Sequence, residues 1–206
     1  MLQVLSITRK YIPVLFAVLL ILSQTVLAGP RSHDEGFFLR LSAGGGPAST
    51  KLESGGEKVE LSGSAADVNF AIGAIVSPNL AVHGTLFGWL ISDPDVEITG
   101  LGSEQANADV DLSGFGAGLT YYFMPANVYV SGTIGAGTLS IDGVGGNYES
   151  DTGILFDLTV GKEWWVGNRW GLGVAGGFGY HSIPETDIED NWSGTSFAIR
   201  FSATYN

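Results

Sequence analysis

The sequence has no cysteine. That removes disulfides, thiolate nucleophiles and cysteine–zinc sites together, and with them a lipidated N-terminal anchor, which needs a cysteine. Basic residues are scarce: nine Lys and Arg stand against 21 Asp and Glu, for a formal charge of −12. A surface of that sign repels nucleic acid. Charged residues make up only 15% of the chain and hydrophobic ones 45%, which is too apolar for disorder. Past the first 28 residues, however, no apolar run reaches the roughly 20 residues of a spanning helix. There is no Gly-x-Ser-x-Gly elbow. His181 and Ser182 are adjacent, so a regular strand points them to opposite faces. No catalytic residues, no cofactor and no metal are expected.

What is present begins with a leader. Arg9 and Lys10 precede an apolar core over residues 11–22, and Val26 and Ala28 close it. This is the layout of a secretory signal peptide, expected over residues 1–28 with cleavage after Ala28. One domain over residues 29–206 remains. It is more acidic than the whole chain, because the leader carries two basic residues and no acidic ones.

The last stretch shows how that domain is built. Phe197, Ile199, Phe201, Ala203 and Tyr205 alternate with Ser196, Ala198, Arg200, Ser202 and Thr204. Period-2 alternation marks a strand with one apolar and one polar face. A strand of about ten residues exceeds the five or six usual in soluble sheets and matches the 9–11 of a membrane-spanning strand. Seven further segments alternate in the same way, over residues 37–43, 66–76, 80–91, 110–123, 128–141, 154–164 and 170–181. Long polar connections (44–64, 92–108, 142–152, 182–194) alternate with tight turns (77–79, 124–127, 166–169). The pattern predicts an all-β fold, an eight-stranded antiparallel up-and-down transmembrane β-barrel with long loops at one end and short turns at the other. Tyr121, Tyr122, Phe123 and Tyr129 beside the second turn, and Trp164, Trp165 and Trp170 beside the third, read as a girdle at the headgroup level.

The terminal strand, ending on Tyr205 and Asn206, resembles the closing strand of bacterial outer-membrane β-barrels. The whole mature chain resembles the small OmpA/OmpX/OmpW-like members. The resemblance implies residence in the bacterial outer membrane, contact with its lipids and lipopolysaccharide, and recognition of the last strand by the barrel-assembly machinery. It also implies external long loops and periplasmic turns. Two roles follow for such a barrel. One is non-enzymatic surface interaction or membrane structure; the other is a narrow channel for small apolar molecules, as OmpW-like barrels are thought to be.

Candidate site residues lie inside and at the rim. Arg40 on the first strand and Arg200 on the last are expected inward, on neighbouring strands and at similar heights. Guanidiniums in a narrow interior need anions, and the inward carboxylates are Asp67, Asp157 and Glu163. Together these form an expected lumen ion-pair network that plugs the barrel, since eight strands leave room only for side chains; the alternative for the same residues is a gate or selectivity site. Gly114, Gly116 and Gly118 are expected to make room for Phe87 and Trp89, and the glycines over 171–179 for Arg200. The long connections are acidic, with only Lys51 and Lys58 in opposition, which suits a cationic or basic extracellular partner. Asp93, Asp95 and Glu97 alternate as carboxylates do in calcium loops and form a possible cation-binding loop, although Gly100 comes too late for an EF-hand.

Overall fold

The polypeptide alternates because it closes a sheet on itself. In the computed structural model, which describes residues 32–34, 36–143, 146–185 and 190–206, eight long strands form one closed antiparallel barrel. They are β1 (Gly36–Ser54), β2 (Glu57–Ser77), β3 (Leu80–Ser92), β6 (Ala108–Phe123), β7 (Val128–Gly143), β9 (Gly153–Trp165), β10 (Trp170–Pro184) and β11 (Asn191–Tyr205). Three short strands, β4 (Asp95–Ile98), β5 (Gly102–Gln105) and β8 (Gly146–Glu149), extend the sheet at one end. Each long strand pairs with its neighbour in the chain, and β1 closes on β11 from Leu39↔Tyr205 to Lys51↔Ser193. The ladder of this seam is interrupted between Gly45↔Ile199 and Ala48↔Ser196, where Pro47 has no N–H to donate. The expected leader, residues 1–28, lies outside the described residues.

Alternation sorts the side chains. Phe37, Leu41, Val68, Ile72, Leu86, Phe115, Leu119, Ile134, Ile154, Ile199 and Phe201 are exposed on the outer wall, Phe201 at 68%. Their partners in the alternation, from Phe38 and Arg40 to Ala198 and Arg200, are buried inside. An apolar exterior around a partly polar interior inverts the soluble pattern and fits lipid outside. Inward His83, Thr85, Phe87 and Trp89 on β3 are all buried, so its faces follow the same rule although both look apolar in sequence.

The long connections differ from expectation. Residues 44–64 are not a loop but the upper halves of β1 and β2, paired through Ser54↔Glu57 and turned at Gly55 and Gly56, which have φ of 60° and 90°. Residues 92–108 hold the β4–β5 hairpin, and β4 pairs with the upper half of β2. Residues 142–152 hold β8, which pairs with β7. The fourth connection shrinks to the span between Pro184 and Asn191. Polar strands beyond the lipid belt lose the apolar half of the alternation, so they look like loops in sequence.

The girdle also needs correction. Tyr121, Phe123, Trp164 and Trp170 are exposed at the short-turn end as expected, but Tyr122 and Tyr129 are fully buried. They occupy inward positions and belong to the lumen.

Candidate functional site

The interior has two layers of charge with an apolar layer above them. Arg200 and Arg40 do not share a height. Arg200 stands opposite Gly44, and Arg40 opposite Thr204, four residues lower on β1. The stagger between neighbouring strands, which counting from strand ends ignores, separates them.

The upper charged layer is centred on Arg200, 4% exposed. Its Nε and Nη2 donate to Asp67 Oδ1 (2.5 Å) and Oδ2 (2.9 Å). Its Nη1 and Nη2 donate to Asp157 Oδ1 (3.0 Å) and Oδ2 (2.6 Å). Thr159 accepts from Nη1 and donates to Asp157 Oδ1. One planar guanidinium thus makes two bidentate bridges, the geometry that arginine offers and lysine does not. Gly177 makes the space: a Cβ there would come within 2.7 Å of Arg200 Cζ.

The lower layer is centred on Arg40, also 4% exposed. Its Nη2 donates to the Tyr122 hydroxyl at 2.5 Å, and its Nε lies 3.4 Å from Glu163 Oε1. Its Cζ sits 3.9 Å from the centroid of the Tyr129 ring, a cation–π contact in a site with little water. Thr204 donates to Glu163 Oε1 at 2.7 Å. The five expected residues are therefore brought together as two groups: Arg200 with Asp67 and Asp157, and Arg40 with Glu163. Other glycines also serve different neighbours from those expected. A Cβ on Gly114 would strike Leu155, and one on Gly118 would strike His83 and Thr133. The residues they relieve lie across the lumen or on a strand face that adjacency in sequence does not reveal.

Above Arg200 the lumen becomes apolar. Phe87, Trp89, Ile91, Val110, Leu112, Leu139, Leu155, Ile183 and Trp192 form one buried cluster. Small cavities interrupt the filling, among them one beside Trp89, His181 and Arg200 and one between the two arginines; each of these measures about 10 Å³. That is about the volume that admits a single water.

At the short-turn end a residue without any sequence signal closes the mouth. His33, fully buried, stacks on Tyr122 with ring centroids 3.5 Å apart. Its Nε2 meets Asn127 Oδ1 at 2.8 Å and its Nδ1 meets the Asn206 side-chain amide nitrogen at 2.6 Å. Its backbone exchanges hydrogen bonds with Asn79. Burial pushes the imidazole pKa down, against smaller upward contributions from Asn127, Glu163 and Asn206. Strand parity sets Tyr122 and Tyr129 inward, against their reading as girdle residues; nothing in the sequence sets His33 there.

Among the described residues, the rim carboxylates do not converge into a metal cage. Asp95 and Glu97 are fixed in β4, while Asp93 turns the chain with φ of 52° and donates its backbone N–H to Ala108. Among the described residues no group of three or more His, Asp or Glu side chains converges to hold an ion. Asp187 and Glu189 of the fourth acidic connection lie outside the described residues. At the same end, Glu185 accepts from the Tyr148 hydroxyl (2.6 Å) and Trp192 Nε1 (2.5 Å), linking β8 to the β10–β11 hairpin.

No protein-family profile matches the sequence, and no curated protein matches it. Solved structures do match. Neisserial surface protein A aligns with a TM-score of 0.56 at 16% identity, over 82% of this chain and 96% of that one. The outer membrane protein OprG from Pseudomonas aeruginosa aligns at 0.47 and 14% identity, over 84% and 98%. Ail of Yersinia pestis, solved with the heparin analogue sucrose octasulfate, aligns at 0.48 and 13% identity, over 84% and 99%. In fold, this chain is a small eight-stranded antiparallel β-barrel, similar to that of Neisserial surface protein A.

Proposed function

We propose that the chain is a non-enzymatic bacterial outer-membrane protein with a plugged lumen, and that its acidic long hairpins act outside the cell in surface interaction or membrane structure. The filling of the lumen carries this reading. Two guanidiniums bonded to three carboxylates block the lower half, an apolar cluster blocks the upper half, and the cavities between them measure about 10 Å³. Such an interior gives a solute no continuous path, so the chemistry available to the protein lies on its outside. The exterior wall contacts outer-membrane lipids and lipopolysaccharide, and β11 is the strand that the barrel-assembly machinery reads. The short turns lie in the periplasm.

Two measurements test the reading. In planar bilayers the wild type should show no resolved single-channel current. On intact cells, added protease should cut an epitope inserted at Gly55 and spare one at Asn168. A conducting wild type favours the narrow channel for small apolar molecules, for which the apolar upper lumen (Phe87, Trp89, Leu155) is the supporting observation. Cleavage at Asn168 with protection at Gly55 inverts the topology and overturns the surface role.

A further inference from the structure

Cations are few in this chain, and most of them are bonded to carboxylates. Those among the described residues are Arg40, Lys51, Lys58, Lys162, Arg169 and Arg200. Arg40 and Arg200 are paired in the lumen, and Lys51 and Lys58 are paired on the β1–β2 hairpin. Lys162 and Arg169 have no carboxylate within ion-pair distance among the described residues. Both stand on the outside at the short-turn end. Lys162 shares the outward face of β9 with Val160 and Trp164, and Arg169 is exposed in the turn before β10. Of the described carboxylates at this end, Glu163 is inside the lumen and Asp34 accepts from the Ser32 hydroxyl.

Each cation is held at the headgroup level. Lys162 starts between Val128 and Val174 on the neighbouring strands, yet its Nζ donates to the Ala126 carbonyl in the β6–β7 turn. The side chain therefore runs out of the apolar belt toward the turns. Its Nζ lies 5.4 Å from the Trp164 ring, and Arg169 Cζ lies 5.9 Å from the Tyr205 ring. Arg169 Nη1 donates to the Tyr205 hydroxyl at 2.9 Å. Between them, on β10, stands exposed Trp170, its ring 5.3 Å from that of Tyr205. Aromatic faces and neutral oxygens fix the two cations without cancelling their charge. An ammonium has three donors and a guanidinium five, so most N–H groups of each are left for an anion.

We propose that Lys162 and Arg169 form a headgroup site for an anionic phospholipid of the periplasmic leaflet. The phosphodiester accepts charge-assisted hydrogen bonds from the two side chains, the girdle rings pack along the glycerol region, and the acyl chains lie on Val160, Leu172 and Val174. A lipid whose headgroup carries its own ammonium gains less, because the same side chains repel that ammonium. This inference rests on the periplasmic placement of the short turns.

The test reconstitutes the full chain in phosphatidylcholine vesicles that carry spin-labelled phosphatidylglycerol or spin-labelled phosphatidylcholine. Electron paramagnetic resonance reads the motionally restricted fraction of each. The anionic lipid should associate about threefold or more strongly than the zwitterionic one at low salt. The preference should shrink in about 1 M salt. Lys162→Gln/Arg169→Gln should abolish it with heat-modifiable gel mobility retained, whereas Lys51→Gln/Lys58→Gln should leave it intact. Arg169→Gln alone, in an exposed turn that tolerates the change, should already weaken it. Equal association of both lipids with the wild type, or a preference that survives salt or either Arg169 variant, overturns the proposal. Vesicles do not sense which end faces the periplasm, so failure of that placement is read separately, as cleavage of the Asn168 epitope on intact cells.

Discussion

The two halves of the lumen fill the same cylinder by opposite means. Near the short turns, the interior is held by Arg40 and Arg200, with Glu163, Asp67 and Asp157 as counter-ions. Toward the long hairpins it is held by Leu, Ile, Val, Phe and Trp side chains with no ionic contacts among themselves. The apolar half depends on shape, so each truncation costs roughly what it leaves empty. The charged half depends on completeness, because removing one ion leaves its partners buried and unpaired. Similar filling therefore hides different kinds of fragility, and substitutions can separate them.

The largest effect should come from Arg200→Ala. It strands Asp67 and Asp157 together and should cost about 3–5 kcal/mol, the usual penalty for breaking a buried pair. The vacated space is polar and should admit water. Lower melting in detergent and higher single-channel conductance should therefore appear together. An equally stable variant would show that the ions are not structural.

Leu155→Ala sharpens the contrast from the other side. Leu155 is buried against the space left by Gly114 and Gly137. Its truncation should cost about 3 kcal/mol. The space it opens joins the small cavity beside Trp89, His181 and Arg200, but the ions stay in place below it, so conductance should rise far less than in Arg200→Ala. A rise in current equal to that of Arg200→Ala would erase the distinction between the halves. On the outer wall, Phe201→Arg puts a similar charge where lipid, not carboxylate, waits for it. It should cost about 2–4 kcal/mol near mid-bilayer and reduce insertion into vesicles, read as lost heat-modifiable gel mobility.

The alternation of these strands made the barrel legible in sequence, and parity placed Arg40, Asp67, Asp157, Glu163 and Arg200 inside. What it could not supply was stagger. Counting residues from strand ends set the two arginines level, whereas hydrogen-bond register sets them four residues apart. The polar hairpins were read as loops because alternation is visible only when one face is apolar. Gly114 serves Leu155, not Phe87, because contacts across a lumen leave no trace in sequence neighbourhood.

The smallest effect concerns the closed mouth. His33 has a lowered pKa in the fold, caused first by burial and opposed by Asn127 and Glu163. On acidification through about pH 6.5 the unfolded chain takes up a proton that the folded one resists. Stability should therefore be full above pH 6.5 and decline below it. Melting curves at pH 7.5 and 5.5 should show a smaller acid-induced loss in His33→Gln than in the wild type. Equal losses would mean that His33 charges freely in the folded mouth.

The bonds between sequence-distant residues of the lumen also bear on the order of assembly. Arg200 and Asp67 are separated by 133 residues, and Arg40 and Thr204 by 164. Contacts of such sequence separation form late, because the chain must first give up the freedom of the intervening loop. Arg200 lies on the last strand and Asp67 on the second, so their bridge exists only once β11 has met β1. A sheet still open at that seam has its guanidiniums and carboxylates hydrated and gains nothing from them. The reward arrives in one step with closure. Folding into the bilayer should thus be steeply cooperative at its end, and unfolding should begin by parting β1 from β11, where Pro47 already leaves the ladder thin.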